Sequence, residues 1–362
     1  MLPAALRNVE RIPKHVIWEI TVACNMRCIH CEGSAGRRDP NELTTAEALA
    51  LCDDLVAAGC EQCNLSGGEP LLRSDWDQLC ARLSRAGVKV ALVTNGSRLD
   101  DRAVRRAVDA GVFSVALSLD GLRETHNRIR PFRSPSGSSF DDVMAAMDRI
   151  APTPIEVSVI SHVNRWNFGE LEAIHALLGQ KGVEHWQLQL GVPLGRQREI
   201  EAPYMIEPGQ LPSLAQRLVA LRGTGERPRL RITDTIGYYT PCEPILRETS
   251  SGEASFWTGC YAGILAVGIE SNGNVKGCSS LPHEFVAGNV RERPFREIWA
   301  DEEGFAYNTR WSEQGLTGYC ARCAYRRLCR AGCSSLAWSV TGTVYDNPFC
   351  LHRVAMTGGD AK

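Results

Sequence analysis

Three cysteines, Cys24, Cys28 and Cys31, stand in the run Thr-Val-Ala-Cys-Asn-Met-Arg-Cys-Ile-His-Cys, directly after an apolar, strand-like segment. They offer three thiolates to a metal centre. A cubane of four irons and four sulfides needs four protein ligands to be closed, so a three-cysteine loop leaves one iron free to take a small molecule. A structural zinc loop is the alternative reading of three close cysteines. It wants a fourth Cys or His, for which His30 is the close candidate.

A second set of cysteines lies after residue 240. Cys242 sits in Tyr-Thr-Pro-Cys-Glu-Pro; Cys260 is followed by Gly273 and, after four residues, Cys278; then come Cys320-x2-Cys323-x5-Cys329-x3-Cys333 and Cys350. Taken alone, the C-x2-C and C-x3-C pairs also suit a zinc ribbon, and the company of the N-terminal loop favours iron. The total of 15 cysteines is odd, in a 362-residue chain whose first residues lack the apolar core of a signal peptide. A secreted disulfide scaffold is therefore disfavoured, and metal ligation in a reducing compartment, the cytoplasm, is expected. Cys52, Cys60, Cys63 and Cys80 lie in or beside regular segments and read as small core residues.

The elements that position these groups alternate. A strand at 16–21 is followed by a capping box, Thr44-Thr45-Ala46-Glu47, opening a helix in which Ala48, Leu51, Cys52 and Leu55 recur at helical spacing. Strands are expected at 62–66, 88–93, 113–118, 156–160 and 185–190, with helices at 75–86, 101–110, 140–150 and 168–178 between them. Such alternation predicts an α/β fold, a partial (β/α)6 TIM-like barrel, over residues 1–195. Ligands bind at the carboxyl ends of barrel strands, and those ends carry the polar motifs. They are the cysteine loop, Ser66-Gly67-Gly68-Glu69-Pro70, Thr94-Asn95-Gly96, Ser118-Leu119-Asp120-Gly121, Ser161 with Asn164, and Gln187 with Gln189. Alternation along the sixth strand turns Trp186 away from that rim. Residues 196–256, punctuated by prolines, read as a connector with one helix near 211–221, and 257–362 as a small cysteine-rich α+β domain.

A net charge of -2 with scattered basic residues gives no reason to expect nucleic acid or a membrane surface as partner. No apolar stretch is long enough to span a bilayer.

The C-x3-C-x2-C loop resembles the signature of the radical S-adenosylmethionine (SAM) superfamily. The resemblance implies that SAM binds the open iron of a 4Fe-4S cluster and is cleaved by one electron to a 5'-deoxyadenosyl radical, which takes hydrogen from the substrate. It implies that Gly67, Gly68 and Glu69 face the methionine part, with Glu69 accepting from its ammonium group, and that Ser118 and Asp120 face the ribose. Asn95 and Asn164 lie within reach of SAM. One arginine beyond the fourth strand, Arg128 or Arg130 from the group with Arg123 and Arg133, would pair with the SAM carboxylate, and His30 would lie near adenine.

The C-terminal array resembles the SPASM extension of enzymes that mature peptides and proteins. By that resemblance Cys320, Cys323, Cys329 and Cys350 bind one auxiliary 4Fe-4S cluster and Cys260, Cys278 and Cys333 another, which Cys242 would complete. The implied activity is hydrogen abstraction from a residue of a ribosomally synthesised precursor peptide, giving a crosslink, an oxidation or an epimerisation. The alternative is a small molecule or a sulfatase-type side chain. Sulfatase-maturing members carry an aspartate directly after a SPASM cysteine, whereas Ser279 and Ser280 follow Cys278 here. A flavodoxin- or ferredoxin-type electron donor is implied. About fifteen residues precede the first strand, too few for a winged-helix module, so a separate leader-recognition protein or the barrel itself must read the precursor. A non-catalytic scaffold would gain nothing from an open iron.

Overall fold

Along the first strand every second side chain is dry. In the computed structural model, which describes residues 10–134, 137–200, 204–248 and 252–358, Val16, Trp18 and Ile20 are fully buried and join one apolar cluster with Leu51 and Leu55 of the first helix. Ile17 and Glu19, between them, are only partly buried and belong to the opposite, inner face of the sheet.

The expected alternation is present. Strands β1 (His15–Thr21), β2 (Gln62–Gly67), β3 (Lys89–Thr94), β4 (Ser114–Ser118), β5 (Glu156–Val163) and β6 (His185–Leu190) are interleaved with α1 (Thr45–Ala57), α2 (Trp76–Arg85), α3 (Asp101–Asp109), α4 (Arg123–Ile129), α5 (Ser139–Ile150) and α6 (Leu171–Gln180). The six strands pair in parallel in chain order. The capping box closes as predicted: Thr44 accepts from the Glu47 N–H, and the Glu47 side chain returns to the Thr44 backbone. Cys52, Cys63 and Cys80 are fully buried and Cys60 nearly so, all within the main core, as small apolar residues. Trp186 is fully buried on the helix side of β6 and donates to Ser161 Oγ at 2.8 Å.

The stretch expected as a connector carries more than a linker. The predicted helix is α7 (Leu211–Gly223), and after it β7 (Arg229–Ile232) adds to β6 as a seventh parallel strand. Two arginines in four residues, directly after Pro228, mask it from any apolar pattern. A short helix, α8 (Glu243–Leu246), follows. The cysteine-rich region then continues the barrel's own sheet. Strand β8 (Ala266–Ile269) pairs in parallel with the free edge of β1, β9 (Asn274–Lys276) runs antiparallel to β8, and β10 (Gly288–Asn289) antiparallel to β9. The resulting order is β10-β9-β8-β1-β2-β3-β4-β5-β6-β7. Cys278 comes two residues after β9, which runs antiparallel to β8 and β1, and Ser279 and Ser280 follow it.

Candidate active site at the barrel mouth

The loop after β1 is held by backbone bonds from both flanks. The Cys24 N–H donates to Gly36 O at 2.9 Å, Ile29 N–H to Ile129 O at 3.0 Å and Arg27 N–H to Pro131 O at 2.8 Å. Two arginines add to this frame. Arg133 donates to Cys24 O at 3.1 Å and also to Ala35 O. Arg196 donates through Nε to Cys28 O at 2.9 Å and through Nη1 to Ala35 O at 3.0 Å, while its N–H reaches Cys31 O at 3.1 Å. Cys24 Sγ accepts from Met26 N–H and Cys31 Sγ from Ala35 N–H, each at 3.4 Å. Burial pushes the Cys24 thiol up to about 12 and raises Cys28 as well, so thiolate formation here needs a cationic centre to compensate it.

The glycines of the second motif serve the cysteine loop. Gly67 has φ +138°, and a Cβ on it would lie 2.1 Å from Thr21 O; one on Gly68 would lie 2.2 Å from Ala23 O. Without side chains, Gly68 N–H donates to Thr21 O at 2.7 Å and Glu69 N–H to Ala23 O at 2.8 Å. Glu69 does not face the cavity as the resemblance implied. Its fully buried carboxylate accepts from Thr94 Oγ1 at 2.7 Å, Asn95 N–H at 2.8 Å and Leu71 N–H at 3.2 Å, tying the end of β2 to that of β3. Burial raises this carboxyl against those hydrogen bonds.

Asp120 is also corrected. It is fully buried and binds protein rather than facing a ribose: Arg130 Nε donates to it at 2.6 Å and His162 N–H at 2.8 Å. Burial by itself raises the carboxyl, but Arg130, His30 and His162 outweigh that effect and hold it below the usual carboxylate range. Of the two arginines left open, Arg130 lines the cavity, with Nη1 3.9 Å from Cys28 Sγ. Arg128 is exposed and stacks on Trp166, its guanidinium carbon 3.6 Å from the ring centroid. Arg123 pairs with Asp141 at the surface. Asn164 closes a turn, accepting from Trp166 N–H at 2.9 Å and donating to His162 O at 2.9 Å, so its amide is consumed inside the protein.

The three thiols line one cavity of about 260 Å³, together with His30, Gly67, Gly68, Thr94, Asn95, Ser118, Arg130, His162, Gln189 and Arg196. Ser118, Asn95 and Gln189 thus stand where strand-end reasoning put them. Gln187 supports Gln189 through a 3.1 Å hydrogen bond. Among the described residues no three His, Cys, Asp or Glu converge on a point that would hold a single ion; the trio instead surrounds a space. Three polar atoms at this site, His30 Nδ1, His162 Nδ1 and the Tyr204 hydroxyl, are buried without a hydrogen-bond partner among the described residues. The His30 ring stacks on Tyr204 at 5.9 Å and meets His162 at 4.4 Å. A ligand rich in donors and acceptors, such as the adenine and ribose of SAM, fits this unmet demand. Burial lowers His162 to about 4, so it is neutral at physiological pH. Sequence reasoning missed Arg196, His162 and Tyr204. Arg196 and Tyr204 lie in the proline-broken stretch without periodicity, while His162 stands at a strand end and the strand-end polar rule points to it.

In the C-terminal region Cys320, Cys323, Cys329 and Cys350 line one small cavity with Tyr238, Tyr239, Tyr319 and His352. Cys260, Cys278 and Cys333 form the other group: burial pushes Cys278 and Cys333 up to about 12, with Cys260 adding to both and Cys278 to Cys333. Cys242 does not figure among the groups acting on this trio; it opens α8 and packs, partly buried, against the main core. An aromatic pair joins the two groups. Tyr238 Oη accepts from Cys333 N–H at 2.9 Å, Trp257 Nε1 donates to Cys329 O at 2.8 Å, and the rings meet edge to face at 5.5 Å.

A parallel barrel whose mouth presents three thiols around an open cavity, continued by a sheet extension rich in grouped cysteines, defines an iron–sulfur enzyme of the SAM-cleaving class. Comparison with known proteins agrees. The family model described as the radical SAM superfamily matches residues 18–178, and the SPASM model, an iron-sulfur cluster-binding domain, matches 260–324. The AdoMet-dependent heme synthase of Methanosarcina barkeri is 30% identical over 94% of this chain and 97% of its own. The mycofactocin maturase MftC of Mycobacterium ulcerans is 30% identical over 93% and 86%. Streptococcus suis SuiB, solved with S-adenosylmethionine, superposes with a TM-score of 0.74 at 15% identity, over 95% of this chain and 79% of its own. The chain belongs to the radical SAM superfamily and carries a SPASM domain; its cofactors are SAM and 4Fe-4S clusters. No helix among the described residues is long and apolar enough to cross a membrane.

Proposed function

We propose that this radical SAM/SPASM enzyme modifies a residue of a ribosomally synthesised precursor peptide. In this reading Cys24, Cys28 and Cys31 hold the SAM-binding cluster, Cys320, Cys323, Cys329 and Cys350 one auxiliary cluster, and Cys260, Cys278 and Cys333 another. Bound there, cluster and SAM supply a carbon radical able to break an unactivated C–H bond. The chain's own residues orient and seclude that chemistry. Arg133 and Arg196 fix the loop carbonyls, the Gly67-Gly68 turn seats the loop against β2, and Arg130, already paired with Asp120, lends residual positive charge to the cavity wall.

The observation that carries the peptide reading is the charge of the space next to the SAM cavity. A chamber of about 390 Å³ adjoins it and shares Glu19, Glu32, Gly33, Ser279 and Ser280 with it; Asp39 and Glu270 complete its acidic wall. Lys276 in that wall is already committed to Glu270 at 2.8 Å and to Ser279 O at 3.1 Å. Neutral backbone amides suit such walls, whereas a macrocycle bearing several carboxylates would meet like charge. The mycofactocin-maturase relatives support the same reading. The heme-synthase relatives, equally similar, favour a small molecule as the second reading. Either way the enzyme draws electrons from a flavodoxin- or ferredoxin-type donor in the cytoplasm, and a separate protein can serve leader recognition.

Deuterium transfer separates the two. Candidate precursor peptides deuterated at carbon are expected to pass label into 5'-deoxyadenosine, read by mass spectrometry, while the unlabelled peptide loses two hydrogens for a crosslink or desaturation and keeps its mass for epimerisation. Label arriving only from a deuterated iron porphyrin would overturn the peptide reading.

A further inference from the structure

We infer that Glu19 is the proton acceptor of the oxidative step, facing the substrate from the end of β1; this rests on the peptide reading and deepens it. Four features of its position support the role. Glu19 lies on the inner face of β1, five residues before Cys24, and lines both the SAM cavity and the adjoining chamber. Its carboxylate makes no hydrogen bond and no ion pair among the described residues, unlike those of Glu69 and Asp120, which are consumed by protein donors. Gly33 brings no side chain over it, whereas a Cβ there would stand in van der Waals contact, 3.8 Å from Glu19 Oε1. Ser279 and Ser280, directly after Cys278, line the same two cavities, so Glu19 shares its chamber with the segment that follows a proposed cluster ligand.

A carboxyl left unpaired in a shielded site has no structural return for its desolvation, and such groups cluster where a proton must be moved. Burial raises Glu19 to about 7; Lys276 opposes the rise, and Glu270 and Glu32 add to it. Asp39 and His283 are the other titratable groups of the chamber, and the adjoining SAM cavity is lined by Arg130, paired with Asp120, and by Arg196. At neutral pH Glu19 therefore divides between a form that accepts a proton and one that holds it.

The step balances. The substrate C–H bond breaks homolytically and its hydrogen leaves with the SAM-derived carbon. The auxiliary-domain cysteines would hold an oxidised iron–sulfur centre able to take up one electron from the substrate radical, and a neighbouring N–H, O–H or S–H would give its proton to the Glu19 carboxylate. The electrons left on the substrate form the new bond, for a net loss of two hydrogens.

The test uses the full reconstituted enzyme with deuterated peptide, comparing wild type, Glu19→Gln and Glu19→Asp. Glu19→Gln is expected to keep deuterium transfer into 5'-deoxyadenosine within about threefold of wild type while product falls at least a hundredfold, with Glu19→Asp recovering part of it. Wild-type product formation should rise with pH through about 7. Infrared difference titration of the protein without substrate should show one carboxyl titrating near that value and missing from Glu19→Gln. Product at the wild-type level from Glu19→Gln, or deuterium transfer lost in step with product, overturns the role. If no peptide passes label even to wild type, the peptide reading fails while the titration still judges Glu19: an ordinary carboxylate value there also overturns the inference.

Discussion

Cys28→Ala is expected to abolish SAM cleavage while leaving a folded protein. Cys28 is buried, its carbonyl is held by Arg196, and its thiol lies 3.9 Å from Arg130 Nη1. With two thiolates left, the loop cannot retain a cubane, and 5'-deoxyadenosine formation should drop by at least about a thousandfold because no other group in the cavity can deliver the electron. The cysteines after residue 240 are untouched, so iron content should fall by only about a third if two auxiliary clusters remain. Iron assay and chromatography of 5'-deoxyadenosine check both. Unchanged iron with cleavage retained would move the SAM site away from this loop.

Asp120→Ala carries the largest expected cost to stability. The carboxylate is fully buried against Arg130, itself nearly buried, and it also holds the His162 N–H at the strand end. Removing it strands a guanidinium in a dry site, which costs about 3–5 kcal/mol. Urea unfolding at neutral pH should show that loss, and Asp120→Ala combined with Arg130→Met should recover part of it, because the stranded charge is then gone. The pH dependence has a definite sign. Asp120 is depressed in the folded protein, so its contribution is complete above the unfolded carboxylate range and is lost as pH falls through the lower folded value. Wild type should therefore lose stability toward acid more steeply than the variant.

Much of the fold was legible because helical and strand periods alternate cleanly up to β6. β7 was not, since Arg229 and Arg231 stand on its inner face and no apolar repeat survives in four residues. Nor could spacing show that β8 returns to the edge of β1, a pairing across about 250 residues fixed only by the tertiary fold. At the site, residue types pointed to the right loops but not to the direction of each side chain. Gly67, Gly68, Glu69 and Asp120 all sit at the mouth as expected, yet they serve the scaffold: the glycines admit backbone, and the acids bind Thr94, Asn95 and Arg130. Which partner a buried carboxylate takes depends on neighbours from other strands, which local sequence does not encode. Cys320, Cys323, Cys329 and Cys350, by contrast, line one cavity, and these are the four that the SPASM resemblance groups together.

The central claim is that the first three thiols hold a cluster whose open iron binds and splits SAM. Its most direct measurement is electron paramagnetic resonance of the anaerobically reconstituted, dithionite-reduced protein before and after SAM, with the products counted in the same sample. The account predicts a reduced cubane signal that shifts on adding SAM, absent from Cys28→Ala, with methionine and 5'-deoxyadenosine formed in equal amounts. A signal indifferent to SAM, with the sulfonium recovered intact, would contradict it.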